Sequence, residues 1–175
     1  MTLRYATLLA VTALAAPFAV CAADIAVPDP LQVAPGQKLV LDVRGVGVQI
    51  YVCSALAADA SRFEWHFKAP EAELYEGDGR KVGKHYAGPT WESNDGSKVV
   101  GAVKAHQDDA RGAAIPWLLL NAKSTQGAGM FGKVDAIQRL ATEGGLAPKD
   151  GCGAAQLGQE LRVPYQAVYR FFSAD

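Results

Sequence analysis

Short runs in which apolar and polar residues alternate, separated by turn residues, recur along this chain. Residues 61–68 alternate aromatic with charged or polar side chains, and residues 163–172 alternate apolar residues in the same way. A strand places successive side chains on opposite faces, so such runs predict strands with one apolar face. With turn signals about every ten residues, they predict an all-β fold: an antiparallel β-sandwich or barrel of about 8–10 short strands, with at most short helical turns.

Four local features refine this prediction. Arg44-Gly45 is expected to turn or bulge and so divide residues 38–53 into two strands. Residues 55–60 and 154–157 are each expected to form at most a helical turn. Residues 134–142 suit either a helix or a strand, and a strand is favoured because the run is short and ends in two glycines.

The first residues resemble an export signal. A short basic start is followed by uncharged, largely apolar residues 5–20, and small residues follow Val20. This pattern predicts a secretory signal peptide over residues 1–23, a single β domain over residues 24–175, and a periplasmic or extracellular location. No membrane span is predicted, because the apolar segment is short. The alternative is a lipoprotein anchored at Cys21, although the bulky Val20 before it fits that pattern poorly.

Cys53 and Cys152 remain in the chain beyond the signal, and their pairing follows from the compartment. An even number of cysteines in an exported protein predicts one disulfide, which here closes a long loop. The alternative is two free thiols, one of them catalytic. No obvious base lies beside either cysteine in the sequence, so the disulfide is favoured.

Charge and motif content exclude several classes of function. The 17 basic and 18 acidic residues give a formal net charge of −1, and no Lys/Arg-rich run is present, so a nucleic-acid partner is not predicted. The chain has no phosphate loop, no GxGxxG motif and no alternation of strands with helices. No cofactor is therefore predicted, and the sequence carries no signal for an oligomeric state.

Residues 81–97 contain the most promising group of polar and aromatic side chains. Gly88-Pro89 and Asn94-Asp95-Gly96 are turn signals, and a short run between them holds the rest. We expect a non-catalytic binding module that presents a ligand face here to a small molecule or glycan, with Trp91 as a wall of the pocket. The predicted ligand-binding residues are His85, Tyr86, Trp91, Glu92 and Asp95.

An enzymatic alternative uses the same stretch. His85, Glu92 and Asp95 could serve a small secreted hydrolase or a metal-dependent enzyme. Glu92 and Asp95 could act as an acid/base pair, or Asp95 and His85 could form a triad with Ser97. No GxSxG motif frames that serine. No metal site is predicted, because the three histidines are about twenty residues apart and show no short ligand spacing. The structural alternatives are a hydrogen bond from His85 to a turn, and an Asp95 that caps its own turn.

Several runs along the chain together resemble one family. They are residues 47–53 (GVQIYVC), 69–72 (APEA), 85–92 (HYAGPTWE), 95–97 (DGS), 115–120 (IPWLLL), 137–140 (IQRL), 142–145 (TEGG) and 163–165 (VPY). This pattern is similar to an uncharacterised secreted family, the domain of unknown function numbered 3455, which occurs in bacteria and fungi. The resemblance implies export and a single domain and supplies no reaction. Some fungal members carry a malate dehydrogenase label, which the missing dinucleotide motif does not support.

Overall fold

A computed structural model describes residues 25–174, which form eight antiparallel strands closed in a ring. Each strand pairs with its neighbours in the sequence, and the last strand returns to pair with the first. The strands are β1 (Lys38–Leu56), β2 (Asp59–Tyr75), β3 (Lys81–Tyr86), β4 (Thr90–Ser93), β5 (Lys98–Gln107), β6 (Trp117–Gln126), β7 (Ala136–Gly144) and β8 (Glu160–Ser173). Two 3-10 turns, Asp29–Leu31 and Ala154–Gln156, complete the described part. The predicted all-β antiparallel fold is confirmed, whereas the signal peptide and Cys21 lie outside the described residues.

The alternation seen in the sequence determines which side chains enter the ring. In β8, Tyr165, Ala167, Tyr169 and Phe171 are buried on the inner face. In β7 both faces are buried, because Ile137 packs inside while Leu140 packs outside against Leu31 of the N-terminal segment. Double burial explains why residues 134–142 carried no clean alternation. The strand prediction there is confirmed by β7.

Two local predictions were wrong. Arg44-Gly45 neither turns nor divides the strand, since β1 runs without a break past both residues. Gly45 is required by a close approach, because a Cβ atom there would lie 2.5 Å from Cε2 of Tyr169. Residues 55–60 contain no helical turn, because β1 and β2 are joined there by a tight hairpin.

Strand lengths are unequal, and this inequality opens one side of the ring. β1 and β2 have 19 and 17 residues, but β3 and β4 have only 6 and 4. β3 pairs with β2 only between Ala72 and Tyr75, and β4 pairs with β5 only between Lys98 and Val100. The rest of β2 and β5 therefore face each other without a strand between them. This gap leads into the ring.

The disulfide joins the extended end of β1 to the loop that precedes β8. Cys53 and Cys152 are bonded, with their Cα atoms 5.5 Å apart. The same loop follows β1 through backbone hydrogen bonds from Cys53 N–H to Gln159 O and from Gly158 N–H to Cys53 O. The predicted pairing is confirmed. Between residues 25 and 174, no helix is long and apolar enough to cross a membrane.

Candidate ligand-binding site

A cavity of about 370 Å³ lies inside the ring, behind the gap between β2 and β5. Every strand or its adjoining turn contributes to it, because the inner faces of all strands converge there. The lining residues are mainly apolar, with a few polar ones: Gln49, Phe67, Lys68, Ala69, Pro70, His85, Gly88, Pro89, Trp91, Val103, Leu118, Leu120, Arg139 and Tyr169. Its size and composition are those of a small-molecule site.

One wall of the cavity is a stack of rings. His85 and Trp91 are directly paired across β3 and β4, which places both side chains on the inner face. Their rings are parallel within 9°, with centroids 4.3 Å apart. Tyr169 meets both rings edge-on, at 5.2 Å and 5.5 Å. These contacts hold the wall in one arrangement.

His85 is neutral in this wall. Burial lowers the pKa of its imidazole to about 3, because the surroundings do not solvate a charged ring. Its Nδ1 lies 2.8 Å from the carbonyl oxygen of Thr90, and a carbonyl only accepts, so Nδ1 carries the proton. Nε2 of the neutral ring is consequently a hydrogen-bond acceptor. The structural interpretation of His85, a hydrogen bond to the adjoining turn, matches this geometry.

Two buried hydrogen-bond donors lining the cavity have no partner among the described residues. They are Nε2 of Gln49 and the indole Nε1 of Trp91. Gln49 is only 2 % exposed and Trp91 only 1 % exposed. An unpaired buried donor costs about 1–3 kcal/mol, and folded proteins contain few of them. Both donors belong to side chains that line the same cavity.

Arg139 brings a positive charge to the cavity. Nε and Nη2 of its guanidinium donate to the carbonyl of Pro116, at 3.0 and 2.8 Å. The guanidinium charge also acts on the hydroxyl of Tyr169, where it opposes the rise in pKa that burial causes. No described carboxylate lies within ion-pair distance of Arg139. The charge is therefore held in place by a neutral carbonyl oxygen and is not neutralised by a side chain.

The mouth of the cavity exposes apolar surface. Phe67 on β2 and Val103 on β5 lie on the two sides of the gap, and each is 57 % exposed. The Phe67 ring packs edge-on against Tyr51, whose hydroxyl donates to the carbonyl of Gly145. The mouth thus combines solvent-exposed apolar side chains with support from the loop that carries the disulfide.

Tyr86 and Glu92 lie outside the ring. Along β3 and β4 they alternate with the inward-facing His85 and Trp91, so they occupy the outer face. The Tyr86 hydroxyl donates to Glu92 at 2.7 Å, and this hydrogen bond is the largest cause of a lowered pKa at Glu92. Lys84 and Lys98 also approach the carboxylate, at 3.4 and 3.3 Å. Glu92 is the centre of a surface charge cluster and does not line the cavity.

Asp95 organises a turn away from the cavity. Its carboxylate accepts from the backbone N–H of Met130 and from both the N–H and the hydroxyl of Ser97. These hydrogen bonds, that of Met130 first, lower the Asp95 pKa to about 2. Asp95 caps its own turn, as the structural alternative predicted, and also fixes residues 127–132 to it.

The predicted stretch is therefore split between three places. His85 and Trp91 line the cavity, Tyr86 and Glu92 are on the outer surface, and Asp95 is in the turn. No three His, Cys, Asp or Glu residues within residues 25–174 are arranged to hold a metal ion.

Sequence reasoning missed three important cavity residues: Gln49, Arg139 and Tyr169. The alternation of β1 places Gln49 on the same face as Tyr51 and Cys53, and both are buried. Gln49 could have been recognised as a candidate cavity residue, because it is a polar residue on the inner face of a strand. Arg139 gave no such signal, because its strand is buried on both faces and its alternation cannot be recognised.

A family model described as "Protein of unknown function (DUF3455)" matches residues 34–173. The match spans all eight strands and confirms the resemblance seen in the sequence. Comparison with curated proteins gave no match, and comparison with solved structures gave none.

Proposed function

Because the chain belongs to the family of unknown function DUF3455, whose description assigns no activity, we propose a function from the cavity. The protein is a non-catalytic binding module that holds one small, largely apolar molecule inside the ring. It works after export, in the periplasm or outside the cell. The ligand enters through the gap between β2 and β5 and packs against the His85–Trp91 stack.

The observation that carries this proposal is a preformed, largely apolar cavity, two of whose lining side chains have unpartnered donors. Each N–H of Gln49 and Trp91 that stays buried without an acceptor lowers the stability of the folded protein. A ligand with an oxygen atom in the cavity supplies that acceptor. The exposed Phe67 and Val103 at the mouth give the same ligand an apolar surface to enter along.

The enzymatic alternative is not favoured by the geometry. It requires His85, Glu92 and Asp95 to act on one substrate, yet a sheet separates His85 from Glu92, and Asp95 is saturated with hydrogen bonds. The His85 ring, whose pKa is about 3, is also a weak base at neutral pH.

Binding is tested with N-phenyl-1-naphthylamine, an uncharged dye whose fluorescence rises in apolar surroundings. The wild-type protein is expected to bind one dye molecule saturably. Val103→Trp fills the mouth and is expected to weaken binding about tenfold or more, a loss of roughly 1.4 kcal/mol or more.

Leu157→Trp is the matched control. Leu157 is 59 % exposed, close to the 57 % of Val103, but it lies before β8 and does not line the cavity. This variant is expected to bind the dye as the wild type does. Absence of saturable binding by the wild type, or equal binding by the two variants, would overturn the proposal.

Export is tested by the mass of the protein recovered from its native host. Cleavage after Ala22 or Ala23 gives a protein that begins at Ala23 or Asp24. A mature chain that begins at a lipid-modified Cys21 would support the lipoprotein alternative instead. A full-length chain retained in the cytoplasm would contradict export.

A further inference from the structure

We propose that the molecule held in the cavity is a small apolar acid, whose carboxylate or equivalent anionic group lies against Arg139 and accepts hydrogen bonds from Gln49 and Trp91. This inference rests on the proposed function and adds the charge and the chemical class of the ligand. It follows from three observations: the balance of charge around the cavity, the direction of the unsatisfied hydrogen bonds, and the apolar character of the remaining walls.

The first observation is the charge around the cavity. The lining contains two cationic side chains, Lys68 and Arg139, and no carboxylate. Lys68 is at the exposed rim and is paired with Glu160. Arg139 lines the cavity, is only partly exposed, and donates to the Pro116 carbonyl, with no described carboxylate within ion-pair distance. A cation that is partly removed from water and lacks a counter-ion attracts an anion strongly.

The second observation is that the two buried side-chain atoms of the lining residues that lack a hydrogen-bond partner are both donors. The Gln49 amide and the Trp91 indole each offer an N–H with no acceptor in the described protein. The Arg139 guanidinium has five N–H groups and uses some of them on Pro116. A carboxylate has about four lone-pair positions and donates nothing, so it matches this set. A protonated amine could donate to Nε2 of His85, but it would also meet the charge of Arg139 and the two donors.

The third observation limits the rest of the ligand to apolar groups. Most of the remaining lining is apolar: it includes the Trp91 ring, Leu118 and Leu120, and the exposed Phe67 and Val103 lie at the mouth. A sugar would bury many hydroxyl groups against these side chains without partners, at a cost for each one. The glycan considered from the sequence is therefore not favoured, whereas an alkyl or aryl body fits.

The test compares an acid with its uncharged analogue in the wild-type protein. Decanoate and decanol are each titrated against bound N-phenyl-1-naphthylamine at pH 7.5. Decanoate is expected to displace the dye at a concentration about tenfold lower or more, because one charge-assisted hydrogen bond supplies such a difference. Equal displacement by the two compounds would overturn the inference and leave the proposed function standing. If the wild type does not bind the dye, the proposed function fails.

Arg139→Gln and Lys68→Gln, each of which removes one positive charge, identify the cation responsible. Arg139→Gln is expected to abolish the preference for decanoate, and Lys68→Gln is expected to retain it. The reverse result would overturn the assignment to Arg139.

Two further variants separate binding from folding. Arg139→Gln also loses the bonds to Pro116 and could unfold, so Arg139→Lys, which keeps the charge, is measured beside it and is expected to retain most of the preference. Gln49→Leu leaves the charge in place and removes one donor. The preference, measured as the ratio of the decanol and decanoate concentrations that displace half of the dye, is expected to fall severalfold, and an unchanged ratio would contradict the role of Gln49.

Discussion

At the scale of single residues, the fold changes the chemistry of His85 most. The isolated side chain titrates near neutral pH, but here it is enclosed between Trp91 and Tyr169. Its Nδ1–H is committed to the Thr90 carbonyl, and burial lowers the imidazole pKa to about 3. The ring stack in the cavity wall is therefore uncharged throughout the physiological range, and the charges of the lining are those of Lys68 and Arg139.

The first prediction concerns the pH dependence of stability. The unfolded chain protonates His85 near pH 6.5, whereas the folded chain does so only near pH 3. Between these values the unfolded state binds the extra proton, so the free energy of unfolding falls as the pH falls. The loss is at most about 1.4 kcal/mol per pH unit. Urea unfolding between pH 4 and pH 8 measures it.

His85→Asn is the control for this prediction. The Asn amide can keep a donor near the Thr90 carbonyl but does not titrate. The difference in unfolding free energy between wild type and variant is expected to change between pH 4 and about pH 6.5, where only the unfolded chain gains a proton at His85. It is expected to be constant from there to pH 8. A constant difference from pH 4 to pH 8 would show that the folded protein protonates His85 normally.

Residue identity alone could indicate His85 and Trp91 as candidate binding residues. It could not show that Glu92, from the same stretch, lies on a different face of the sheet. All three lie within one short stretch, and their grouping looked like one surface. The pairing of β3 with β4 places His85 and Trp91 on the inner face and Glu92 on the other. Which face is inner depends on the closure of the ring, and a local sequence pattern does not contain that information.

At the scale of elements, the turn after β4 is fixed to the loop after β6. The Ser97 hydroxyl accepts the backbone N–H of Phe131 at 3.0 Å and donates to Asp95 at 2.6 Å. Phe131 is buried and packs on Phe171, with ring centroids 4.6 Å apart. The sequence could indicate that Asp95 caps its turn, but the connection to the loop joins residues far apart in the chain.

The second prediction is that Ser97→Ala destabilises the protein. It leaves the buried N–H of Phe131 without an acceptor, which costs about 1–3 kcal/mol of unfolding free energy. Ser61→Ala is a matched control, because Ser61 bonds Asp59 through the same two groups but is exposed and accepts no further donor in the described structure. The control is expected to change stability by less than about 0.5 kcal/mol. Equal effects in urea unfolding would contradict the structural role of Ser97.

At the scale of the whole molecule, the disulfide supports the cavity mouth. It fixes the loop of residues 145–159 to β1 across a sequence separation of 99. That loop accepts a hydrogen bond from the Trp65 indole at the Asp150 carbonyl and one from Tyr51 at Gly145. Tyr51 in turn supports Phe67. The bridge therefore stabilises both the closed ring and one side of its opening.

The third prediction is that reduction lowers stability by about 2–5 kcal/mol. Urea unfolding of the wild type is measured with and without dithiothreitol, and the midpoint is expected to fall only when the bridge is broken. The double variant Cys53→Ser and Cys152→Ser is the control, since it is expected to unfold at the lower midpoint under both conditions. A wild-type midpoint that does not respond to the reductant would contradict this account of the bridge.

Much of the whole-molecule architecture could be predicted from the sequence, but ring closure could not. The strand class and the disulfide follow from alternation and from the compartment. Closure depends on β8 pairing with β1, from Lys38 with Ser173 to Val52 with Glu160. A pairing between the two ends of the chain leaves no local pattern, so a sandwich and a barrel stayed equally compatible with the same strands.

The most direct test of the central claim is a ¹H–¹⁵N spectrum of the protein titrated with decanoate. The three tryptophans provide an internal comparison, because Trp91 lines the cavity while Trp65 and Trp117 do not. The indole resonance of Trp91 and the side-chain amide of Gln49 are expected to shift saturably, and the other two indoles are expected to stay in place. A Trp91 resonance that does not move at saturating decanoate would contradict a binding site inside the ring.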